Sequence, residues 1–526
     1  AACLEEHFPH SMANAVVSAA QQRGLAHEEL HSQVQYLVAH GIASTVGGEK
    51  VIIGSAHFVF EDEHCAIPDG EQEKFDALPP ESSHLYLAIA GQLSAVICIA
   101  DPLRKEAAQV IQTLRQLGVK KTVMLTGDSE RTAAAIAAQV GTGNIVGASG
   151  AILTGGPGAI FWMWVIAFFG MATIYAEATL AIKTRRVDKD GTIHGGPAYY
   201  ITTAFKGGFG KFLASFFAVA ITLALGFMGC MVQSNSIGSA FQTAFGVPSQ
   251  FVGVVLVIFC GFIFLGGVNR LAAVTEKVVP VMAVIFLVGA VGILVVRIQD
   301  VPATFALIFK YAFQPQAIIG GSFGYAIKTA ISQGAKRGLF SNEAGMGSTP
   351  HAHAQANVKD PHDQGVVAMV GVFIDTFIVL TLNALVIICT LYTDGGMLAD
   401  GVIPEGVNKT NLAQLAFGSV LGDSVGSAFV AVCLFFFAFS TVLSWNLFGK
   451  INVIYLFGKK AAKGYAVIAL VFLYLGTVMS NDLVWELTDM FNNLMVLPNA
   501  IALFALTGMV LSSVHKAANK GQKIEK

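Results

Sequence analysis

Charged residues are scarce in this chain. Asp, Glu, Lys and Arg make up 13% of its 526 residues, whereas soluble domains carry about 25%. Hydrophobic residues reach 54%, so most of the chain is predicted to face lipid or to pack inside a membrane bundle. The formal net charge is only −2, which argues against nucleic acid as the main partner.

Closely spaced cysteines are also missing. The seven cysteines are scattered and form no Cys-x-x-Cys pair, so they are predicted to be small buried hydrophobic residues. His351, His353 and His362 cluster loosely. Their spacing supplies neither a fixed element nor a fourth ligand, and no metal site is expected from them.

The chain changes character at residues 140–147, VGTGNIVG, which place three glycines and an asparagine inside an apolar run. This pattern is typical of a membrane helix that breaks near the bilayer midplane and exposes backbone groups. A Gly-rich loop joining two domains is the alternative. We predict a soluble α/β part over residues 1–138 and a membrane part over residues 139–526.

The first part has strand and helix patterns in alternation. Residues 40–60 and 85–98 each predict a strand pair, and TVMLTGD at 122–128 predicts a buried strand that leads to a helix N-terminus, an arrangement suited to anions. The segments EEHFPHSMANAVV, GEKVIIGSAHF and MLTGDSERTAAAIAAQVG resemble heavy-metal-type P-type ATPases. The resemblance implies an incomplete HAD-like fragment. Its nucleotide contacts would be His10 and Gly54, with Thr126, Gly127 and Asp128 on the phosphate side.

The chemistry of that family is incomplete here. The nucleophile motif DKTGT and the GDGxND carboxylates that hold Mg²⁺ occur nowhere in the sequence. Without them no acyl-phosphate forms. The chain is therefore predicted not to be an enzyme, and ATP binding by this part is doubtful.

Ten apolar segments in the second part are long enough to cross about 30 Å of hydrocarbon. They are predicted near residues 131–153, 157–182, 212–238, 249–268, 278–297, 315–335, 364–392, 424–447, 464–480 and 484–512. Lys and Arg concentrate in alternate connections, such as residues 183–189 and 450–463, and in the C-terminal tail. By the positive-inside rule these connections and both termini are predicted to face the cytoplasm.

The first and sixth predicted spans are both rich in glycine, the sixth at residues 319–324, IGGSFG. Breaks at equivalent places in two five-span halves predict an inverted repeat with the substrate site at the breaks. Close helix packing at small residues is the alternative explanation.

Several motifs of the second part, including VGTGNIVG, GGPAYYI, MVQSNSI and GLFSNEAGMGSTPHAHA, closely resemble the alanine or glycine:cation symporter family. The resemblance covers about 139–526. It implies the inverted-repeat fold of amino-acid transporters, with about ten spans, in a bacterial inner membrane. It also implies symport of a small neutral amino acid with Na⁺ or sometimes H⁺, with no organic cofactor and no metal besides sodium.

The resemblance also implies roles for individual residues. Thr142, Gly143 and Asn144 would bind the substrate carboxylate, Gln233 would contact the substrate, and the sixth span would complete the pocket through Gly320, Gly321, Phe323 and Gly324. Gly141, Ser440 and Thr441 would bind Na⁺. Alternatively, Gln233 forms an interhelical hydrogen bond, Phe323 faces lipid, and the two hydroxyl groups bond back to their own helix. Asp375, deep in the seventh span, is interpreted as a structural or gating partner.

The sequence leaves three alternative interpretations of function. The first is a sodium-coupled alanine or glycine transporter. The second is a transporter regulated by nucleotide binding to residues 1–138. The third is a non-functional chimera of two truncated genes, because AAQVG at 137–141 suits both families at the join.

Overall fold

A computed structural model describes residues 16–17, 19–20, 23, 35–37, 41–46, 48–68, 70–76, 78, 83–99, 141–187, 193–265, 268–314, 323–356, 358, 360–393 and 395–524. It forms two compact units, Ala1–Leu125 and Thr126–Lys526. The predicted boundary at 138/139 falls outside the described residues and stays a prediction.

The first unit contains a five-stranded antiparallel meander in the order β1-β2-β3-β4-β5. Its strands are β1 (Gln35–Leu37), β2 (Gly41–Val46), β3 (Glu49–Gly54), β4 (Ser83–Ile89) and β5 (Gln92–Ile99), with a short helix α1 (Gln72–Asp76) between β3 and β4. Both predicted strand pairs are confirmed. Gly48, at φ 90°, turns β2 into β3 in a conformation that favours glycine.

Buried apolar residues cover both faces of this sheet. Ile52, Ala88 and Val59 pack in one cluster, and Ile53 and Leu85 pack in another. Gly54 ends β3 opposite Gly41 on one side and Tyr86 on the other. The described strands thus form a small two-sided core.

The second unit is almost entirely helical. Its first helices are α2 (Ala148–Gly155), α3 (Ala159–Thr184), α4 (Pro197–Ala204), α5 (Gly207–Ile221), α6 (Cys230–Phe245), α7 (Ser249–Leu265), α8 (Val268–Val296) and α9 (Val301–Phe313). The later ones are α10 (Phe323–Asn342), α11 (Pro350–His353), α12 (Pro361–Val372), α13 (Thr381–Leu391), α14 (Leu412–Leu421), α15 (Asp423–Phe457), α16 (Ala461–Val478), α17 (Asn481–Ala505) and α18 (Thr507–Ile524). A two-stranded hairpin, β6 (Arg186–Val187) and β7 (Ile193–His194), follows α3.

Three π-helical stretches interrupt otherwise regular helices. Gly143–Gly147 leads into α2, Thr222–Gly229 joins α5 to α6, and Phe373–Leu380 joins α12 to α13. A π-turn leaves carbonyl groups that the regular i→i−4 pattern would have used. Two of these stretches, the first and the third, meet at the site described below.

Within the described residues, five helices are long and apolar enough to span a bilayer, and two bent pairs raise the number to seven. The predicted spans 157–182, 212–238, 364–392, 424–447 and 464–480 correspond to these five helices. The helix observed at the predicted span 212–238 is longer than predicted. It has 39 residues, because α5, the π-helical stretch and α6 form one helix. Exposed Phe168 and Phe212 lie on two of these helices, as lipid contact requires.

Candidate substrate and cation site

The first predicted break corresponds to a π-helical stretch, Gly143–Gly147, inside a helix that continues to Gly155. The residues directly before Gly141 lie outside the described part, so the break itself stays a prediction. The side chain of Asn144 stabilises the irregular stretch. Its Oδ1 accepts a hydrogen bond from the Gly141 N–H at 2.9 Å. Its Nδ2 donates to the Asp375 side-chain Oδ1 at 2.7 Å and to the Asp375 carbonyl at 3.0 Å. Asn144 therefore joins the start of the break to the π-helical stretch 373–380.

Asn383 of α13 satisfies backbone carbonyls that the π-turn exposes. Its Nδ2 donates to the carbonyl oxygens of Asn144 at 2.9 Å and Ile145 at 3.3 Å. Because buried carbonyl groups without partners are costly, Asn383 stabilises the irregular turn. Its own Oδ1 is buried and has no partner among the described residues.

A second chain interruption begins where α10 ends, within the segment 341–349, SNEAGMGST, of which Ser341 and Asn342 still belong to the helix. Glu343, Gly345 and Gly347 have φ values of 59°, 94° and 77°, so the backbone turns repeatedly in the left-handed region. Two buried carboxylates hold it. Glu177 of α3 accepts hydrogen bonds from the N–H groups of Gly345 at 3.0 Å and Gly347 at 2.9 Å.

The second carboxylate is that of Glu343 itself. It accepts hydrogen bonds from the Trp445 indole N–H at 2.5 Å and from the Ser348 hydroxyl. Asn499 of α17 also donates to Glu177, at 2.6 Å. The interruption is thereby fixed to α3, α15 and α17 at once.

The two interruptions touch each other at Gly143 and Ser341. A Cβ atom on Gly143 would lie 2.7 Å from the Ser341 Cα and 3.2 Å from its backbone nitrogen. Only glycine permits this approach, since backbone atoms cannot rotate away. The contact packs the π-helical stretch of the first span against the last turn of α10, directly before the second interruption.

Asp375 bridges the two interruptions. Besides Asn144, its carboxylate accepts hydrogen bonds from the Ser341 hydroxyl at 3.0 Å and the Thr376 hydroxyl at 2.8 Å. The side chain is fully buried, and no described basic residue bonds to it. Neutral donors therefore stabilise this carboxylate, in agreement with its interpretation as a structural partner.

Gln233 of α6 reaches the first break from another side. Its Oε1 accepts a hydrogen bond from the Thr142 hydroxyl at 2.9 Å. Its Nε2 is buried and finds no partner among the described residues. A buried amide N–H₂ group without an acceptor costs about 1–3 kcal/mol, so this group is available for a bound carboxylate.

The residues predicted to bind Na⁺ lie together. A Cβ on Gly141 would collide with Thr441 Oγ1, which places the start of the break against α15. Ser440 and Thr441 both donate to the Phe437 carbonyl, at 3.0 and 2.9 Å. The hydroxyls thus bond back to their own helix, and the Ser440 hydroxyl also lies 3.8 Å from the Met282 sulfur.

Three aromatic rings line up behind Ser341. Phe340 packs edge-on against Trp445, with ring centroids 5.5 Å apart. It also packs against Trp485 in a tilted arrangement, with ring centroids 4.8 Å apart. Phe340 and Trp445 are buried. Because Trp445 is also bonded to Glu343, this aromatic wall is held in place beside the second interruption.

The described part of the structure does not place the other predicted binding residues at this site. Gly320 and Gly321 lie outside the described residues, as does the side chain of Phe323, while Gly324 is exposed in the first turn of α10. His10, Thr126, Gly127 and Asp128 also lie outside them. Gly54 is buried at the end of β3 in the first unit.

Sequence reasoning missed Ser341 as the partner of Gly143, and it missed the aromatic wall. The predicted sixth-span interruption at residues 319–324 lies largely outside the described residues and stays a prediction, and the sequence analysis did not single out the segment 341–349 as an interruption. The signal was present in SNEAGMGST, whose two glycines and adjacent polar residues follow an apolar helix.

Comparison with known proteins adds independent information. A family model described as the sodium:alanine symporter family matches residues 109–526. A model described as haloacid dehalogenase-like hydrolase matches residues 3–190, consistent with the resemblance of the first part. The two matches overlap over residues 109–190.

Among individual relatives, the sodium/alanine symporter AgcS of Methanococcus maripaludis is 41% identical over 392 residues, which cover 74% of this chain and 84% of AgcS. An uncharacterized transporter of Haemophilus influenzae is 40% identical over 379 residues, covering 72% and 80%. The probable sodium/glutamine symporter GlnT of Bacillus subtilis is 36% identical over 407 residues, covering 77% and 81%.

Among solved structures, MhsT in complex with L-phenylalanine matches with a TM-score of 0.50. The match covers 75% of this chain and all of MhsT, at 14% sequence identity. This similarity concerns the fold alone, and it agrees with the mainly helical transporter architecture predicted from the sequence.

Proposed function

The chain belongs to the sodium:alanine symporter family, and from this premise we propose that it carries alanine or glycine into the cell together with Na⁺. Family membership makes it a cation-coupled amino-acid transporter. We propose which amino acid and which cation it carries, and in which membrane it lies.

The observation that carries the proposal is the free amide group of Gln233 beside the first break. An amino acid presents a carboxylate, and the N-terminal turn of this helix, formed by Thr142, Gly143 and Asn144, is suited to bind it. The unpartnered Gln233 Nε2, next to Thr142, supplies a further donor. Gly320, Gly321, Phe323 and Gly324 stay proposed contacts from the sixth span.

The aromatic wall supports a small side chain on the substrate. Phe340 and Trp445 are bulky, buried and fixed, and they lie next to the point where the two interruptions meet. A pocket bounded by such rings favours alanine or glycine over glutamine, the amino acid in the name of the relative GlnT.

The proposed Na⁺ site consists of the Gly141 backbone and the hydroxyls of Ser440 and Thr441. Na⁺ is a hard cation that prefers oxygen ligands, and carbonyls freed by an unwound helix bind it in transporters of this kind. Gly141 lies against Thr441, so the proposed oxygen ligands come from two different helices.

A binding measurement tests the proposal. Purified protein should bind radiolabelled alanine with an affinity that rises with Na⁺ concentration. Replacing Gln233 by Leu should weaken alanine binding by about 10- to 100-fold, since a hydrogen bond to a charged group contributes about 1.5–3 kcal/mol. Alanine affinity that is unaffected by Gln233→Leu would contradict this assignment.

Gln414 offers a matched control. It is another buried glutamine, and its Nε2 is already bonded to the carbonyls of Ala240 at 3.0 Å and Ser427 at 3.1 Å. Gln414→Leu should lower thermal stability and leave alanine affinity within about threefold of wild type, because each lost neutral hydrogen bond costs about 1 kcal/mol of stability.

We propose further that the chain lies in the plasma membrane with both termini in the cytoplasm, as the distribution of Lys and Arg indicates. For residues 1–138 we propose no ATP hydrolysis, since the nucleophile and metal-binding motifs are missing from the sequence. Mg²⁺-dependent ATP hydrolysis above background by the purified chain, lost on Thr126→Ala, would contradict this.

A further inference from the structure

A basic cleft lies away from the transport site, where β6, α4, α5 and the end of α15 meet. Its volume is about 260 Å³, and its lining includes Arg186, Lys206, Lys211, Tyr199, Thr202 and Tyr455. None of the described residues that line it is acidic. Three cations without a lining carboxylate make this cleft suited to an anion.

Among the described residues, no carboxylate neutralises these cations through an ion pair. Arg186 lies over the Tyr199 ring, with 5.9 Å between its guanidinium carbon and the ring centroid, and Tyr199 packs edge-on against Tyr455 at 5.6 Å. No ion pair links Arg186, Lys206 or Lys211 to another described residue. The guanidinium group is thus held in position by aromatic contact, and its N–H groups can bind an anion.

The start of α5 adds backbone donors to the same cleft. No side chain caps this helix, and Lys206 occupies its N-cap position. A Cβ placed on Gly207 or Gly208 would meet nothing within 4 Å, so the backbone there is open to a ligand. Helix N-termini of this kind favour negatively charged groups.

The cleft lies at the edge of an apolar helix that crosses the membrane. From Gly207 to Phe245 the helix has a mean hydropathy of 2.1 in its most apolar stretch. Phe209, Phe212 and Phe216 are exposed on its first turns by 58%, 65% and 38%. Their spacing of three and four residues places them in one stripe, which begins directly beside the basic residues.

We propose that this cleft binds the headgroup phosphate of an anionic phospholipid of the cytoplasmic leaflet, with the acyl chains lying along the Phe209–Phe212–Phe216 stripe. Cationic clefts between membrane helices on the cytoplasmic side recognise anionic headgroups. Tyrosines such as Tyr199 and Tyr455 suit the depth of the headgroups. A free phosphate would use only the cations and would have no need for the apolar stripe.

Native mass spectrometry of the full chain tests the proposal, with phosphatidylglycerol and phosphatidylcholine of the same chain length as probes. Phosphatidylglycerol should bind at least tenfold more tightly. The triple variant Arg186→Gln, Lys206→Gln, Lys211→Gln should weaken its binding by about 100-fold, because each basic residue near the surface contributes about fivefold. If the triple variant does not fold, the single variant Lys211→Gln replaces it, and we expect its phosphatidylglycerol affinity to fall about fivefold.

The matched control is Lys459→Gln, Lys460→Gln, Lys463→Gln, which removes the same charge just beyond α15 without altering the cleft lining. It should change phosphatidylglycerol affinity by less than threefold. An equal loss in both triple variants would show nonspecific attraction and overturn the proposal. The proposal would also be overturned if millimolar inorganic phosphate displaced the lipid and Phe212→Ser did not lower the lipid affinity. That result would show a site for phosphate alone.

Discussion

The close contact between Gly143 and Ser341 predicts that Gly143→Ala strongly reduces transport. The added Cβ would lie 2.7 Å from the Ser341 Cα, 3.0 Å from its Cβ and 3.2 Å from its backbone nitrogen. Carbon atoms pack optimally at about 3.5–4.0 Å, so the two backbone segments would have to separate by about 1 Å.

Overpacking of this kind costs about 1–3 kcal/mol, which corresponds to about 5- to 150-fold in the equilibrium between packed and separated arrangements. Because Ser341 also bonds to Asp375, separation would disturb that contact as well. We therefore expect Na⁺-dependent uptake of labelled alanine into proteoliposomes to fall at least tenfold.

Gly147→Ala is the matched control, one turn further along the same helix. Its Cβ would meet only the Thr142 carbonyl oxygen, at an ordinary 3.9 Å, so uptake should stay within about twofold of wild type. Size-exclusion chromatography with fluorescence detection checks that both variants fold. Equal uptake by folded Gly143→Ala and Gly147→Ala would refute the close contact.

The remaining predictions concern the other groups of the site. We expect Ser440→Ala and Thr441→Val each to raise the Na⁺ concentration for half-maximal uptake at least tenfold. The control Thr390→Val removes a buried hydroxyl bonded to the Val386 carbonyl and should leave this concentration unchanged. Unchanged Na⁺ dependence in the first two variants would place the ion elsewhere. Asp375→Leu should lower stability by roughly 2–6 kcal/mol, since it leaves the Ser341 and Thr376 hydroxyls without their acceptor. Asp375→Asn keeps one acceptor oxygen and should denature at a higher temperature than Asp375→Leu; identical melting temperatures would argue against the bridge. Trp445→Leu should admit larger amino acids such as glutamine as competitors of alanine uptake, and an unchanged competition profile would remove the aromatic wall from the substrate pocket.

The first break could be predicted from sequence because its signal is local. Glycines at 141, 143 and 147 cannot sustain a regular membrane helix cheaply, and Asn144 at that depth requires partners. The strand pairs of the first unit were predictable for a similar reason, since a Gly-Gly turn and alternating apolar residues specify a hairpin over a few residues.

The second interruption depends on distant contacts. SNEAGMGST is irregular and yet buried because Glu177, Trp445 and Asn499 satisfy its polar groups. Those residues lie far away in the sequence, so local composition alone suggests an exposed loop. Likewise, Asn383 is an ordinary polar residue in a helix until the carbonyls of Asn144 and Ile145 are placed beside it.

Uptake of labelled alanine by proteoliposomes that contain the purified full chain tests the central claim most directly. An inward Na⁺ gradient, with the membrane potential clamped at zero, should drive alanine to accumulate above its external concentration. An equal gradient of K⁺ should not. Accumulation that is independent of Na⁺, or uptake no greater than in protein-free liposomes, would contradict a sodium-coupled alanine transporter.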